Sequence, residues 1–230
     1  MEEPGIAEGA EPESSALAAR VALVRDKIRR AGGSESVTVV AVTKGFGLAA
    51  VGAAARAGLL DIGENYANEM LDKLEGAPSG LRWHFLGELQ RNKLGRLAGR
   101  VHLWHGLDRV VEAESLARVA PGAAVLVEVK AAEAPAGPRP RPGVELAQVP
   151  ELVEAAHQAG LDVRGLMTVG PVGAGPGELS RHFRRVASLA RELGLSEVSM
   201  GMSADFELAV AEGATMVRLG RALFGPRPAR

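Results

Sequence analysis

Apolar residues recur along this chain in two alternating rhythms. Short runs such as Val37-Thr38-Val39-Val40-Ala41-Val42-Thr43 are β-branched and almost uninterrupted, as in a strand buried on both faces. Between such runs, apolar residues return every three or four positions, as in Leu179, Phe183, Val186, Ala190 and Leu193, which share one helical face. The pattern predicts strands at 37–43, 59–63, 82–87, 101–106, 123–129, 162–169, 197–200 and 215–219. It predicts helices at about 47–57, 65–75, 91–98, 109–118, 150–159, 177–193 and 204–212. An earlier helix carries Leu17, Val21, Val24 and Ile28 on one face, with Ser14 or Ser15 as its cap and Ala31-Gly32-Gly33 as its stop. Strands alternating with helices imply a parallel sheet. Eight such units imply an α/β fold, a single (β/α)8 TIM-type barrel with an extra N-terminal helix, with an open doubly wound sheet as the rival. Residues 1–14 read as a disordered tail and 15–230 as one barrel domain. The Pro/Gly/Ala-rich stretch 131–143 reads as a mobile loop.

In a barrel the site lies at the C-terminal ends of the strands. Those ends are polar and glycine-rich: Lys44, Gly63-Glu64-Asn65, Gly87-Glu88, Asp108, Lys130, Met167-Thr168, Gly201-Met202-Ser203 and Arg218-Leu219-Gly220. Lys44 stands out. The chain has five lysines against 22 arginines; Lys27, Lys73 and Lys93 fall in charged, helix-like stretches, and only Lys44 and Lys130 end strand-like runs. Partial burial lowers an amine's pKa and makes it a nucleophile toward aldehydes such as pyridoxal phosphate. Ser203 and the Gly220-Arg221 turn lie where barrels place a phosphate, after strands seven and eight. Ser203 also reads as a plain cap of a helix starting near Ala204. Arg218 reads either as a salt-bridge partner or as a contact to a cofactor ring nitrogen or phosphate.

Composition narrows the classes. The 230 residues are 47% hydrophobic with a formal net charge of −1, a soluble globular balance with no electrostatic case for nucleic acid or an anionic membrane. There is no cysteine, hence neither disulfides nor thiolate chemistry. The acidic start lacks a signal-peptide pattern and no window has a membrane span's apolar length, so the cytoplasm is the expected compartment. His102 and His105, three apart on a strand, face opposite sides and do not chelate one ion. His84 reads as a satisfied core histidine. Gly173, Gly175 and Gly177 fit no dinucleotide pattern, and there is neither a Walker lysine nor a Gly-x-Ser-x-Gly elbow.

Taken in order, Ala41-Val42-Thr43-Lys44, Gly63-Glu64-Asn65-Tyr66, Trp83-His84-Phe85-Leu86-Gly87 with Leu89-Gln90-Arg91-Asn92-Lys93, Gly165-Leu166-Met167-Thr168, Ser199-Met200-Gly201-Met202-Ser203 and Val217-Arg218-Leu219-Gly220 with Leu223-Phe224-Gly225 resemble the pyridoxal-phosphate homeostasis protein family. The resemblance covers about Val37 to Phe224. It implies a barrel like the alanine racemase N-terminal domain, standing alone, that binds pyridoxal 5'-phosphate and takes part in its homeostasis without an established catalytic reaction. It implies that Lys44 holds the cofactor as a Schiff base, that Ser203, Gly220 and Arg221 bind its phosphate, and that Arg218 faces the pyridine nitrogen. Asn65 and Met167 would line the pocket. An arginine beside that nitrogen disfavours its protonation and so weakens the ring as an electron sink.

Four places depart from the family pattern. Phe46 stands where a second lysine often follows. Lys130 replaces a common asparagine. The loop around Ala134-Pro135-Ala136-Gly137 has no lysine, which puts accessory-lysine hand-off in doubt. Arg221 also stands where threonine is frequent, putting a guanidinium in place of one phosphate hydroxyl. Expected partners are the cofactor and apo-forms of pyridoxal-phosphate enzymes, and the expected state is a monomer. The competing reading is a pyridoxal-phosphate-dependent amino-acid racemase. It needs an acid/base on each face of the cofactor, and the only tyrosine, Tyr66, follows the second strand.

Overall fold

A computed structural model describes residues 14–131 and 142–227. The chain alternates α1 (Ser14–Arg30), β1 (Thr38–Val42), α2 (Leu48–Arg56), β2 (Asp61–Glu64), α3 (Ala67–Leu74), β3 (Arg82–Phe85), α4 (Arg91–Leu97), β4 (Leu103–Leu107), α5 (Val110–Val119) and β5 (Ala124–Val129). A 3-10 turn (Leu146–Gln148) leads into α6 (Val149–Gln158), β6 (Asp162–Thr168), α7 (Pro176–Glu192), β7 (Glu197–Ser199), α8 (Phe206–Ala211), β8 (Met216–Leu219) and α9 (Arg221–Phe224). The eight parallel strands close in sequence order, β8 returning to β1 with Thr38 opposite Met216 and Ala41 opposite Leu219. The expected barrel is therefore the fold, and the open sheet is excluded. The tail up to residue 13 and most of the 131–143 stretch lie outside the described residues. The helix has already begun at Ser14, ahead of one of the two serines offered as its cap.

Strand alternation divides the core in two. Val39 and Ala41 point outward into the large layer between barrel and helices, where Ile62, Trp104, Phe183 and Val217 also pack. Val40 points inward and meets Leu103, Ala124, Leu126, Met167 and Met216. The outer layer supplies most of the burial, each large side chain contributing about 1.5–3 kcal/mol. α1 covers the seam where the barrel closes. It buries Leu17, Val24 and Ile28, lies against α2, α8 and α9, and donates from Arg20 Nη1 to the Leu223 carbonyl at 3.0 Å. Among the described residues no helix is long and apolar enough to cross a membrane.

The barrel interior is not wholly apolar. At its N-terminal end Arg82 grips Asp61 with two bonds of 2.7 and 2.5 Å. His84 Nε2 lies 3.0 Å from the same carboxylate, and His84 Nδ1 lies 3.0 Å from His105 Nε2. Burial alone would raise the Asp61 carboxyl, but hydrogen bonds from His84 and Arg82 outweigh it and draw it down to about 2. His84 is thus the satisfied core histidine its sequence context implies.

Candidate functional site

The C-terminal ends of the strands surround a cavity of about 470 Å³, within the range of small-molecule sites. All seven residues expected from sequence line it: Lys44, Asn65, Met167, Ser203, Arg218, Gly220 and Arg221. Phe46, Glu88, Glu128, Asp205 and Arg227 join them.

Lys44 lies two residues beyond β1, in a turn completed by Gly45 at φ +77°, a conformation that L side chains rarely adopt. Burial lowers its pKa, the charges of Arg227 and Arg218 lower it further, and Glu64 and Glu69 oppose them. The amine is thus shifted toward its nucleophilic, neutral form. Phe46 packs on Phe224 with ring centroids 5.3 Å apart, so the position of the missing second lysine is an apolar wall.

Ser203 differs from its sequence expectation as a helix cap. α8 begins at Phe206, with Asp205 at the cap position. Ser203 Oγ instead accepts the Ala222 N–H at 3.0 Å, tying the turn after β7 to α9 after β8. The hydroxyl, the Gly220 turn and the Arg221 guanidinium thereby converge on one wall, a donor set suited to a phosphate.

Arg218 is fully enclosed. Nη1 donates to the carbonyl and the hydroxyl of Ser199, both at 2.7 Å, and Nη2 donates to the Thr168 carbonyl at 2.8 Å. Among the described residues no carboxylate grips it directly, so the simple salt-bridge reading is not met there. Burial lowers its pKa to about 10, against the pull of Glu128 and Asp205, and it remains a cation at neutral pH. Across the cavity Glu128, 6% exposed, is raised to about 7 by burial and by Asp108, although Arg218 draws it down. Asn65 Oδ1 is buried without a hydrogen-bond partner among the described residues. Such a group in a cavity wall fits a polar ligand. Gly87 makes room here, because a Cβ at that position would stand 2.1 Å from the Asn65 carbonyl.

Sequence reading missed the groups behind Lys44. Glu64, Glu69 and Lys73 are buried together. Lys73 Nζ donates to Glu64 Oε1 at 2.5 Å, to Glu69 Oε1 at 2.7 Å and to the Thr43 carbonyl at 2.8 Å. Their sequence trace is the i, i+4 spacing of Glu69 and Lys73 after a strand ending in Glu64, a pattern that an exposed helical pair shares. Lys130, the other strand-end lysine, pairs with Glu145 at 2.8 Å and does not line the cavity.

A model of the alanine racemase N-terminal domain matches residues 13–228, which places the barrel in a class. Within that class, the pyridoxal phosphate homeostasis protein of Pseudomonas aeruginosa is 38% identical over 222 residues, covering 93% of this chain and 96% of that protein. The structure of PipY from Synechococcus elongatus PCC7942, solved without PLP, superposes with a TM-score of 0.82 at 33% identity, covering 91% of this chain and 100% of that one. PipY has also been solved with PLP bound, and that structure superposes with a TM-score of 0.73. This chain belongs to the pyridoxal phosphate homeostasis protein family. Its likeness to an alanine racemase from Clostridium difficile 630, TM-score 0.67 at 16% identity, is one of fold alone, and the chain spans 57% of that structure.

Proposed function

We propose that this protein binds pyridoxal 5'-phosphate as a Schiff base on Lys44 and serves the homeostasis of that cofactor without running a reaction of its own. The observation that carries the reading is convergence. A half-buried lysine with a lowered pKa shares one cavity with a hydroxyl, a glycine turn and an arginine suited to phosphate, and with the buried Arg218 of β8, the strand paired with β1. When bound, the cofactor supplies an electrophilic aldehyde and, if its ring nitrogen is protonated, an electron sink. Arg218 would meet that nitrogen. Held as a cation by Ser199 and Thr168, it opposes protonation and favours storage over carbanion chemistry.

The racemase alternative draws on fold likeness only. Tyr66, the sole tyrosine, is exposed at the start of α3 and is absent from the cavity wall. Every residue of the site comes from one closed barrel, which supports a monomer; light scattering during gel filtration tests this. The cofactor reading is tested by mixing the purified protein with pyridoxal phosphate. The expected result is a visible imine band and borohydride trapping on Lys44, both lost in Lys44→Ala while the circular dichroism spectrum is unchanged. Trapping that persists and maps to Lys130 overturns it.

A further inference from the structure

Lys44 is bracketed on both sides by one buried ionic cluster. The peptide carbonyl before it, that of Thr43, accepts from Lys73 Nζ at 2.8 Å. The peptide N–H after it, that of Gly45, donates to Glu69 Oε1 at 2.6 Å. The Thr43 hydroxyl donates to Glu64 Oε1 at 2.5 Å, and Lys73 binds both carboxylates. All three charged side chains are at least 94% buried. A buried ion pair is a weak source of net stability, because desolvation offsets most of the attraction. Three such charges, gathered at the two peptides that flank the cofactor lysine, fit a positioning role better than a stabilising one.

We infer that Glu64, Glu69 and Lys73 form a clamp that fixes the backbone on either side of Lys44 and so aims its amine into the cavity. The inference rests on the reading of Lys44 as the cofactor lysine. The three residues do not touch the cofactor; they act through Lys44. Their geometry explains why α3 turns a lysine inward, where its helical spacing alone suggests a solvated face. It also sets the field on the amine. The charges of Arg227 and Arg218 lower the pKa of Lys44, and those of Glu64 and Glu69 raise it. Lys73 neutralises part of the carboxylate charge, which would otherwise hold Lys44 protonated.

The experiment compares Lys73→Met, Lys73→Arg and Glu69→Ala with the parent and with Lys44→Ala. Stopped-flow absorbance follows imine formation with pyridoxal phosphate from pH 6 to 10. Equilibrium binding of pyridoxine 5'-phosphate, which has no aldehyde, reports the cavity independently of Lys44. Lys73→Met should slow imine formation at least about tenfold and move the midpoint of its pH profile upward, by about one unit, because two carboxylates then face the amine without their counter-ion. Pyridoxine phosphate affinity should change less than about twofold, and Lys73→Arg should restore much of the rate by keeping the charge. Should Lys73→Met fail to fold, Glu69→Ala decides. It frees the Gly45 peptide while leaving Lys73, Glu64 and Thr43 joined, and should slow imine formation with pyridoxine phosphate binding intact. Parent-like rates and pH profiles in the folded variants overturn the clamp, as do equal losses of imine formation and pyridoxine phosphate binding. Imine trapping that survives in Lys44→Ala overturns instead the reading of Lys44 itself, so the two failures are distinct.

Discussion

At the N-terminal end of the barrel Asp61 is held by Arg82 and His84, and its carboxyl falls to about 2. At the C-terminal end Glu64 and Glu128 are also buried, yet both rise to about 7. Burial pushes all three upward. Asp61 escapes because its partners are direct, cationic or polarised, and matched to both of its oxygens. Glu64 shares Lys73 with Glu69 and leaves Oε2 without a partner. Glu128 looks across open cavity toward Arg218. One end thus commits buried charge to stability, and the other leaves it incompletely satisfied at and behind the cavity. The division accords with the general placement of barrel sites at the C-terminal face and stabilising features at the opposite one.

The contrast breaks most sharply at Asp61. Asp61→Ala should cost about 3 kcal/mol in denaturant unfolding by stranding His84 inside the barrel, while cofactor affinity stays within about twofold. In the parent, this carboxylate's stabilisation is complete above the unfolded value of 3.8 and is lost as pH falls through about 2. Unfolding midpoints measured from pH 5 down to 2 should show that loss in the parent and not in the variant. At the opposite end, Ser203→Ala should weaken pyridoxal phosphate binding by roughly 1.5–3 kcal/mol, the range for a bond to a charged group. Its effect on unphosphorylated pyridoxal should be much smaller, and equal losses in the two titrations would remove Ser203 from the phosphate wall.

Glu128 sharpens the comparison by sign. A carboxyl raised from 4.5 to about 7 destabilises the fold progressively as pH climbs between those values. Glu128→Gln should therefore gain about 1–2 kcal/mol at pH 8 and almost nothing at pH 4.5, the reverse of the Asp61 profile. A thermal melt series across that range checks it. The smallest effect belongs to Lys130→Ala. Its pair with Glu145 is largely exposed, so stability should shift by less than about 0.5 kcal/mol, with borohydride trapping on Lys44 unchanged.

Most of the barrel was legible because its strands are buried on both faces and read as apolar runs. The three-residue β7 falls within the predicted 197–200 segment. The seven expected cavity residues were legible because they lie at or just past the C-terminal ends of strands, where topology brings distant positions together, and because the motifs they sit in resemble a known family. The clamp was not. Lys73 sits among Asp72, Leu74 and Glu75, and nothing local distinguishes an inward lysine from a solvated one. Its burial is decided by Glu64, nine residues away on a strand, and by the Thr43 carbonyl, 30 residues away. The role of Ser203 was hidden for the same reason. A serine before a helix looks like its cap, and only tertiary packing brings Ala222 within reach. The Asp61–His84–His105 chain left a fainter trace, polar residues at inward positions of otherwise apolar strands.

The seam at which β1 meets β8 has a consequence for the order in which the molecule can be built. Thr38 pairs with Met216, and α1 rests against α9, so the first elements to be synthesised wait for the last. The wall formed by Ser203 and Arg221 depends on that late arrival, since Ser203 is held by the N–H of Ala222. Contacts of such sequence separation form slowly, because chain closure must precede them. A nascent chain still lacking β8 and α9 would carry Lys44 but neither Arg218 nor the Gly220-Arg221 turn. The cavity wall is thus complete only once the barrel has closed.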